Sequence, residues 1–141
     1  MRFWKGVFAG VALLAVAAGA QAADAAAGRY RVVFQVSDND PAKWNLALNN
    51  IRNLQQDLGS DKVEIELVAY GPGLNMLKLD SAVAARVGEA LGSGAGVLAC
   101  ENTMTNTRID RADMLPGIGY VKAGVTALML RQREGWAYIR P

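Results

Sequence analysis

The chain predicts an α/β fold, a three-layer α/β/α sandwich on a mainly parallel sheet of about five strands. Three observations carry that expectation. Short β-branched and apolar runs alternate with amphipathic helical runs along the chain. The first strand-like run lacks polar alternation, as a strand buried on both faces of a parallel sheet does. Each helical run closes on a glycine, Gly59, Gly92 or Gly135, before the next strand-like run begins.

RYRVVFQVS, Arg29 to Ser37, is the first expected strand. In the helix that follows, Asp40 is placed to cap and Pro41 occupies the first helical position, where a missing N–H costs nothing. Trp44, Ala47, Leu48, Ile51, Leu54 and Leu58 recur at helical spacing until Gly59 ends the run. KVEIELVAY, Lys62 to Tyr70, alternates Val63, Ile65 and Leu67 with Glu64 and Glu66, so one face is expected to be partly wet, as on an edge or half-covered strand. GPGLN reads as a turn. A second helix is expected from Asp80 or Ser81 through SAVAARVGEAL, with Val83, Val87 and Leu91 on one stripe. Gly96 to Cys100 is the third strand, and ENTMTNTRIDRADMLPGIG reads as the longest irregular stretch, with one helical turn around Arg111 to Leu115. Gly119 to Val121 is a brief strand, AGVTALMLRQREG a helix and WAYIRP the final strand.

The N-terminus reads as a cleavable secretory signal over residues 1–22. MRFWK supplies two positive charges, Gly6 to Gly19 carries no charged side chain, and Ala20-Gln21-Ala22 fits the small-residue pattern before a cleavage site. That apolar run is shorter than the roughly 20 residues a bilayer-spanning helix needs, so no stable membrane anchor is expected after cleavage. Residues 23–28 read as a disordered linker, residues 29–141 as one domain, and the location as periplasmic. Cleavage takes Arg2 and Lys5 and no acid, leaving 13 basic against 13 acidic residues. A neutral chain without a basic cluster argues against nucleic-acid binding. With no histidine and one cysteine, a zinc site lacks its usual ligands, so no metal and no cofactor are expected. The missing imidazole also removes Cys-His and Ser-His catalysis.

In an open α/β sheet the ligand crevice lies at the carboxyl ends of the strands. That selects SDND after the first strand, GPGLN after the second and CENTMTN after the third. GSGAG precedes a strand rather than following one, and GPG lacks the Walker lysine, so neither supports a nucleotide site. Cys100 sits where such folds place their chemistry, although a lone thiol closing an apolar strand also suits simple core filling. Asn102 and Thr103 follow it with groups able to hydrogen-bond a thiolate, while Glu101 opposes a lowered thiol pKa. Ser37, Asn45, Gly71 and Gly73 are candidate pocket walls; capping, turn formation and helix-surface solvation are their plainer roles.

The order and spacing of VVFQVSDNDPAKWNLALNNIRNL, VEIELVAYGPGLNML, GVLACENTM and DMLPGIGYVKAGVTALMLRQREGWAYIRP resemble the DsrE/DsrF-like family, specifically its exported single-domain branch. The resemblance implies a Rossmann-like three-layer fold that self-associates into a homo-oligomer, with a cysteine at Cys100 that in sulfur-relay members receives and passes a sulfane sulfur as a persulfide. One thiol suffices for that exchange, given a sulfur donor and an acceptor thiol protein as partners. A different reading is a non-catalytic ligand-binding or assembly module whose thiol is incidental or pairs across subunits. Whether the chain is an enzyme stays open between them.

Overall fold

The computed structural model describes residues 28–141. The signal expected over residues 1–22 lies outside them, as does the expected linker apart from Gly28. Nine regular elements follow in order: β1 Tyr30–Val36, α1 Pro41–Leu58, β2 Val63–Ala69, α2 Ala84–Gly92, β3 Gly96–Cys100, α3 Glu101–Thr107, β4 Gly119–Val121, α4 Gly124–Arg133 and β5 Ala137–Ile139. Two 3₁₀ segments, Gly71–Leu77 and Arg111–Asp113, sit between them.

The five strands form one parallel sheet in the order β4-β3-β2-β1-β5. Right-handed crossovers explain where the helices go. From β1 to β4 the chain steps one way across the sheet and lays α1, α2 and α3 on one face. The return from β4 to β5 steps the other way, so α4 alone lies on the opposite face, over β1, β2 and β3. The α/β/α sandwich expected from the sequence is the fold observed.

Strand alternation sends side chains to two cores. The larger joins Val32, Phe34, Val36, Ile65, Leu67 and Val97 to Trp44, Leu48, Ile51 and Val87 of α1 and α2. The smaller, under α4, holds Val33, Val68, Leu128 and Trp136. Val33 and Phe34, neighbours in sequence on opposite faces, are both 0% exposed, as the unalternating first strand predicts. Each such side chain contributes about 1.5–3 kcal/mol of burial, so the larger cluster carries most of the hydrophobic stabilisation.

The alternation of β2 comes from half-covering, not from an edge. Glu66 lies inside the sheet but beneath the end of α4, where Arg131 meets its two oxygens at 2.7 Å each. The Arg131 guanidinium stacks 4.9 Å from the Trp136 ring. That pairing raises the pKa of Arg131 further, mainly through the Glu66 hydrogen bond.

Three stretches differ from expectation. The second helix begins at Ala84 rather than Asp80 or Ser81, because the Ser81 hydroxyl and carbonyl accept the Val83 and Ala84 N–H groups in a turn. GPGLN continues into a 3₁₀ segment, since Leu74, Met76 and Leu77 are buried by its tight winding. The irregular reading after Cys100 is corrected by α3. Its Asn and Thr residues are poor helix formers, yet burial of Met104 and donation by the Thr105 and Thr107 hydroxyls to the Glu101 and Thr103 carbonyls anchor its two turns.

Candidate functional site

A ligand crevice opens where the connections after two adjacent strands leave toward opposite faces. Here β3 leads to α3 on the α1 side, and β4 leads to α4 on the other. Cys100 ends β3 beside Val121 of β4, so the only thiol of the chain stands at that divide. The two exits are tied across it by the Asn102 N–H, which donates to the Lys122 carbonyl at 3.1 Å.

Cys100 is 4% exposed, but its surroundings are not those of an apolar core. The Gly124 N–H at the start of α4 donates to Sγ at 3.3 Å. The Thr103 hydroxyl and the Asn102 and Thr103 N–H groups also favour charge on the sulfur. Burial pushes the thiol pKa up, and it is the largest single influence. The Thr103 hydroxyl, the Gly124 N–H and the α3 N–H groups together outweigh it and hold the thiol below its ordinary range.

The direction of the Thr103 hydroxyl follows from the GPG segment. Gly71 adopts φ +54, a left-handed conformation that glycine takes without a Cβ penalty, and its N–H donates to Thr103 Oγ1 at 2.9 Å. With that lone pair engaged, the hydroxyl proton is free to point at the sulfur. Gly73 anchors the same segment, its N–H donating to the Ser37 carbonyl at 3.2 Å. A Cβ there would stand 2.4 Å from the Val36 carbonyl oxygen. Ser37, Gly73, Gly71, Thr103 and Cys100 therefore form one connected support, spanning the carboxyl ends of three strands.

The remaining candidates divide. Asn102 contributes its backbone, and its side chain is exposed. Asn45 lies apart from the thiol, on α1 across the sheet. Its amide donates to the Pro41 carbonyl at 2.9 Å and accepts from Arg86 of α2, which also reaches Asn49 at 2.6 Å. It joins two helices rather than walling the site.

Three contributors escaped sequence reasoning. Gly124 supplies the N–H that donates to the sulfur at 3.3 Å, and it must lack a side chain because a Cβ would meet Tyr70 Cβ at 2.9 Å. A glycine opening a helix next to a short strand was the available signal. Tyr70 forms the wall beside it. Arg111 pairs with Glu101 at 2.6 Å while its guanidinium stacks 4.1 Å from the Tyr120 ring, so the carboxylate next to the thiol is partnered by a cation.

No family model and no curated protein matches the chain. Among solved structures it is similar to the protein of unknown function MTH1491 from Methanobacterium thermoautotrophicum, with 44% sequence identity, a TM-score of 0.76, and coverage of 79% of this chain and 99% of that one. It is also similar to the conserved protein of unknown function BT1422 from Bacteroides thetaiotaomicron, at 18% identity and a TM-score of 0.67 over 87% of this chain and 100% of the other. The ychN protein from E. coli matches at 14% identity and a TM-score of 0.58, over 80% of this chain and 99% of that one. At those two lower identities the likeness is one of fold alone. At 44% identity across nearly the whole of MTH1491, the chain belongs to the same family as that archaeal protein.

Proposed function

We propose that this chain is an exported, periplasmic DsrE-like sulfur carrier in which Cys100 accepts a sulfane sulfur as a persulfide and passes it to an acceptor thiol. The observation that carries the reading is the set of donors around Sγ: the Gly124 N–H at 3.3 Å and the Thr103 hydroxyl favour a thiolate inside a buried site. A thiol that merely fills core has no need of them. The thiolate is the nucleophile in sulfur exchange. It attacks the outer sulfur of a donor persulfide, a new S–S bond forms, the donor's S–S bond breaks, and the electron pair leaves on the donor thiolate. No oxidant is consumed.

Incubation of the mature protein with inorganic polysulfide is expected to add one sulfur mass, about 32 Da, as a sulfane sulfur on the thiol. Cys100→Ser removes the adduct. An unchanged wild-type mass overturns the proposal. Self-association, implied by the resemblance, belongs to the same proposal and is read by sedimentation. The assembly-module reading draws less support, because an incidental thiol has no need of the donors gathered on Sγ.

A further inference from the structure

A sulfur that is 4% exposed meets no other molecule until part of its surroundings moves. Which part moves follows from how each is held. On the α3 side, the Asn102 N–H is bonded to the Lys122 carbonyl at 3.1 Å, and Thr103 is held by the Gly71 N–H at 2.9 Å. The GPG segment is fixed by Leu74, Met76 and Leu77, all buried, and by Gly73 pressed against the Val36 backbone. The third wall is the first turn of α4, and nothing comparable holds it.

Gly124 is buried but has no side chain to contribute, and Val125 and Thr126 are exposed. The first side chain that α4 buries is Leu128. Ala123 has the extended backbone of an N-cap, φ −137 and ψ 121, yet it offers no side-chain acceptor, and the first turn carries no acid. Gly, Val and Thr are also among the weaker helix formers. The turn is closed by the Ala127 N–H, which donates to the Ala123 carbonyl at 3.0 Å, and by the Gly124 N–H on Cys100 Sγ at 3.3 Å. The sulfur therefore takes the place of the missing cap. Local opening begins where few apolar contacts oppose it. Here that is the cover of the thiol, bounded by Lys122 pinned to α3 on one side and by buried Leu128 on the other.

We infer that the segment Ala123 to Ala127 is a gate over Cys100 and that the sulfur is its latch. When the turn is closed, the Gly124 N–H caps on Sγ and the sulfur is shut in. When it opens, that bond breaks and the sulfur faces solvent, with the Thr103 hydroxyl still beside it. Gly124 is what lets the gate close flush, since a Cβ there would stand 2.9 Å from Tyr70 Cβ. Resting on the reading that Cys100 accepts sulfane sulfur, the donor and later the acceptor thiol reach it in the open state. The rate of loading then follows the fraction of open molecules, as it does when opening and closing are fast beside the chemistry.

Alkylation of Cys100 by iodoacetamide in residues 23–141, read by mass under native conditions, tests the gate without sulfur chemistry. Ala123→Ser supplies the missing cap and is expected to slow alkylation about fivefold. Ala127→Gly loosens the turn and is expected to speed it about fivefold. Neither change removes a hydrogen bond to the sulfur. Ile51→Val weakens the larger core away from the gate and is expected to leave the rate unchanged. Rates indifferent to both Ala123→Ser and Ala127→Gly overturn the gate, because the sulfur is then reached without it. A rate that rises with Ile51→Val overturns it in favour of global unfolding. The latch is read by hydrogen exchange of the Ala127 amide. Cys100→Ala is expected to speed that exchange about fivefold, as for one lost hydrogen bond, and Cys100→Ser, which keeps an acceptor, to hold it near wild type. Equal exchange in the two variants overturns the latch. Gate-dependent alkylation in a wild type that takes no sulfur from polysulfide overturns the carrier reading and not the gate.

Discussion

Thr103 holds the thiol and the GPG segment together through a single hydroxyl, accepting from Gly71 and favouring charge on Cys100. Thr103→Val keeps the shape and removes both roles. The thiol pKa should rise, moving the midpoint of the alkylation rate against pH upward, and the rate at neutral pH should fall by roughly an order of magnitude, as for one hydrogen bond to a charged group. Thr103→Ser should restore the wild-type profile, whereas an unmoved midpoint in Thr103→Val removes the hydroxyl from the site. Cys100, Thr103 and Gly71 were legible as residues because strand ends and glycine turns leave marks in sequence. Gly124 was not, since its N–H reaches the sulfur from 24 positions away in the chain.

Among the elements, β1 and α1 are joined by a loop that also secures the C-terminal tail. Asp38 receives Lys43 at 3.0 Å and lies 3.6 Å from Arg140, just beyond β5. The Lys43 hydrogen bond is the main reason the Asp38 carboxyl lies below its usual range; burial acts against it, and the charges of Lys43 and Arg140 reinforce it. A carboxylate with a lowered folded pKa stabilises the fold above its unfolded value and loses that contribution as the pH falls through the folded value. Asp38→Asn should lower the melting temperature slightly and by a constant amount at neutral pH, with the gap to wild type narrowing once the pH drops below about 4–5. A gap that widens in acid contradicts the assignment. The start of α1 was readable from Asp40 and Pro41, and the side chain of Asp40 does accept from the Ala42 N–H at 2.8 Å. The helix α3 was not readable, because its composition favours turns and its stability comes from the burial of Met104 against residues distant in sequence.

For the molecule as a whole, the sheet couples two cores of unequal size. Trp44 belongs to the larger and Trp136 to the smaller, on opposite faces. The strands between them contribute to both cores at alternate residues, so neither layer can leave without exposing the other side of the same strands. Single-tryptophan forms of residues 23–141, Trp44→Phe and Trp136→Phe, should therefore give coincident denaturation midpoints by fluorescence and by circular dichroism. An earlier transition for Trp136 alone would mean that α4 and β5 separate first. Strand number, strand order of appearance and the helices α1, α2 and α4 were available from apolar periodicity and glycine stops, since those are local consequences of burial and backbone freedom. Periodicity shows that a strand is half wet without showing what stands over it, and it was Arg131 across the sheet that gave Glu66 its place inside β2 rather than at an edge. The character of the thiol is decided in the same way. Its position at a strand's carboxyl end is a property of local sequence, whereas its pKa depends on donors from α3, α4 and the GPG segment that meet only once the crossovers have folded, because hydrogen bonding and desolvation act over a few ångströms of space and not over distance along the chain.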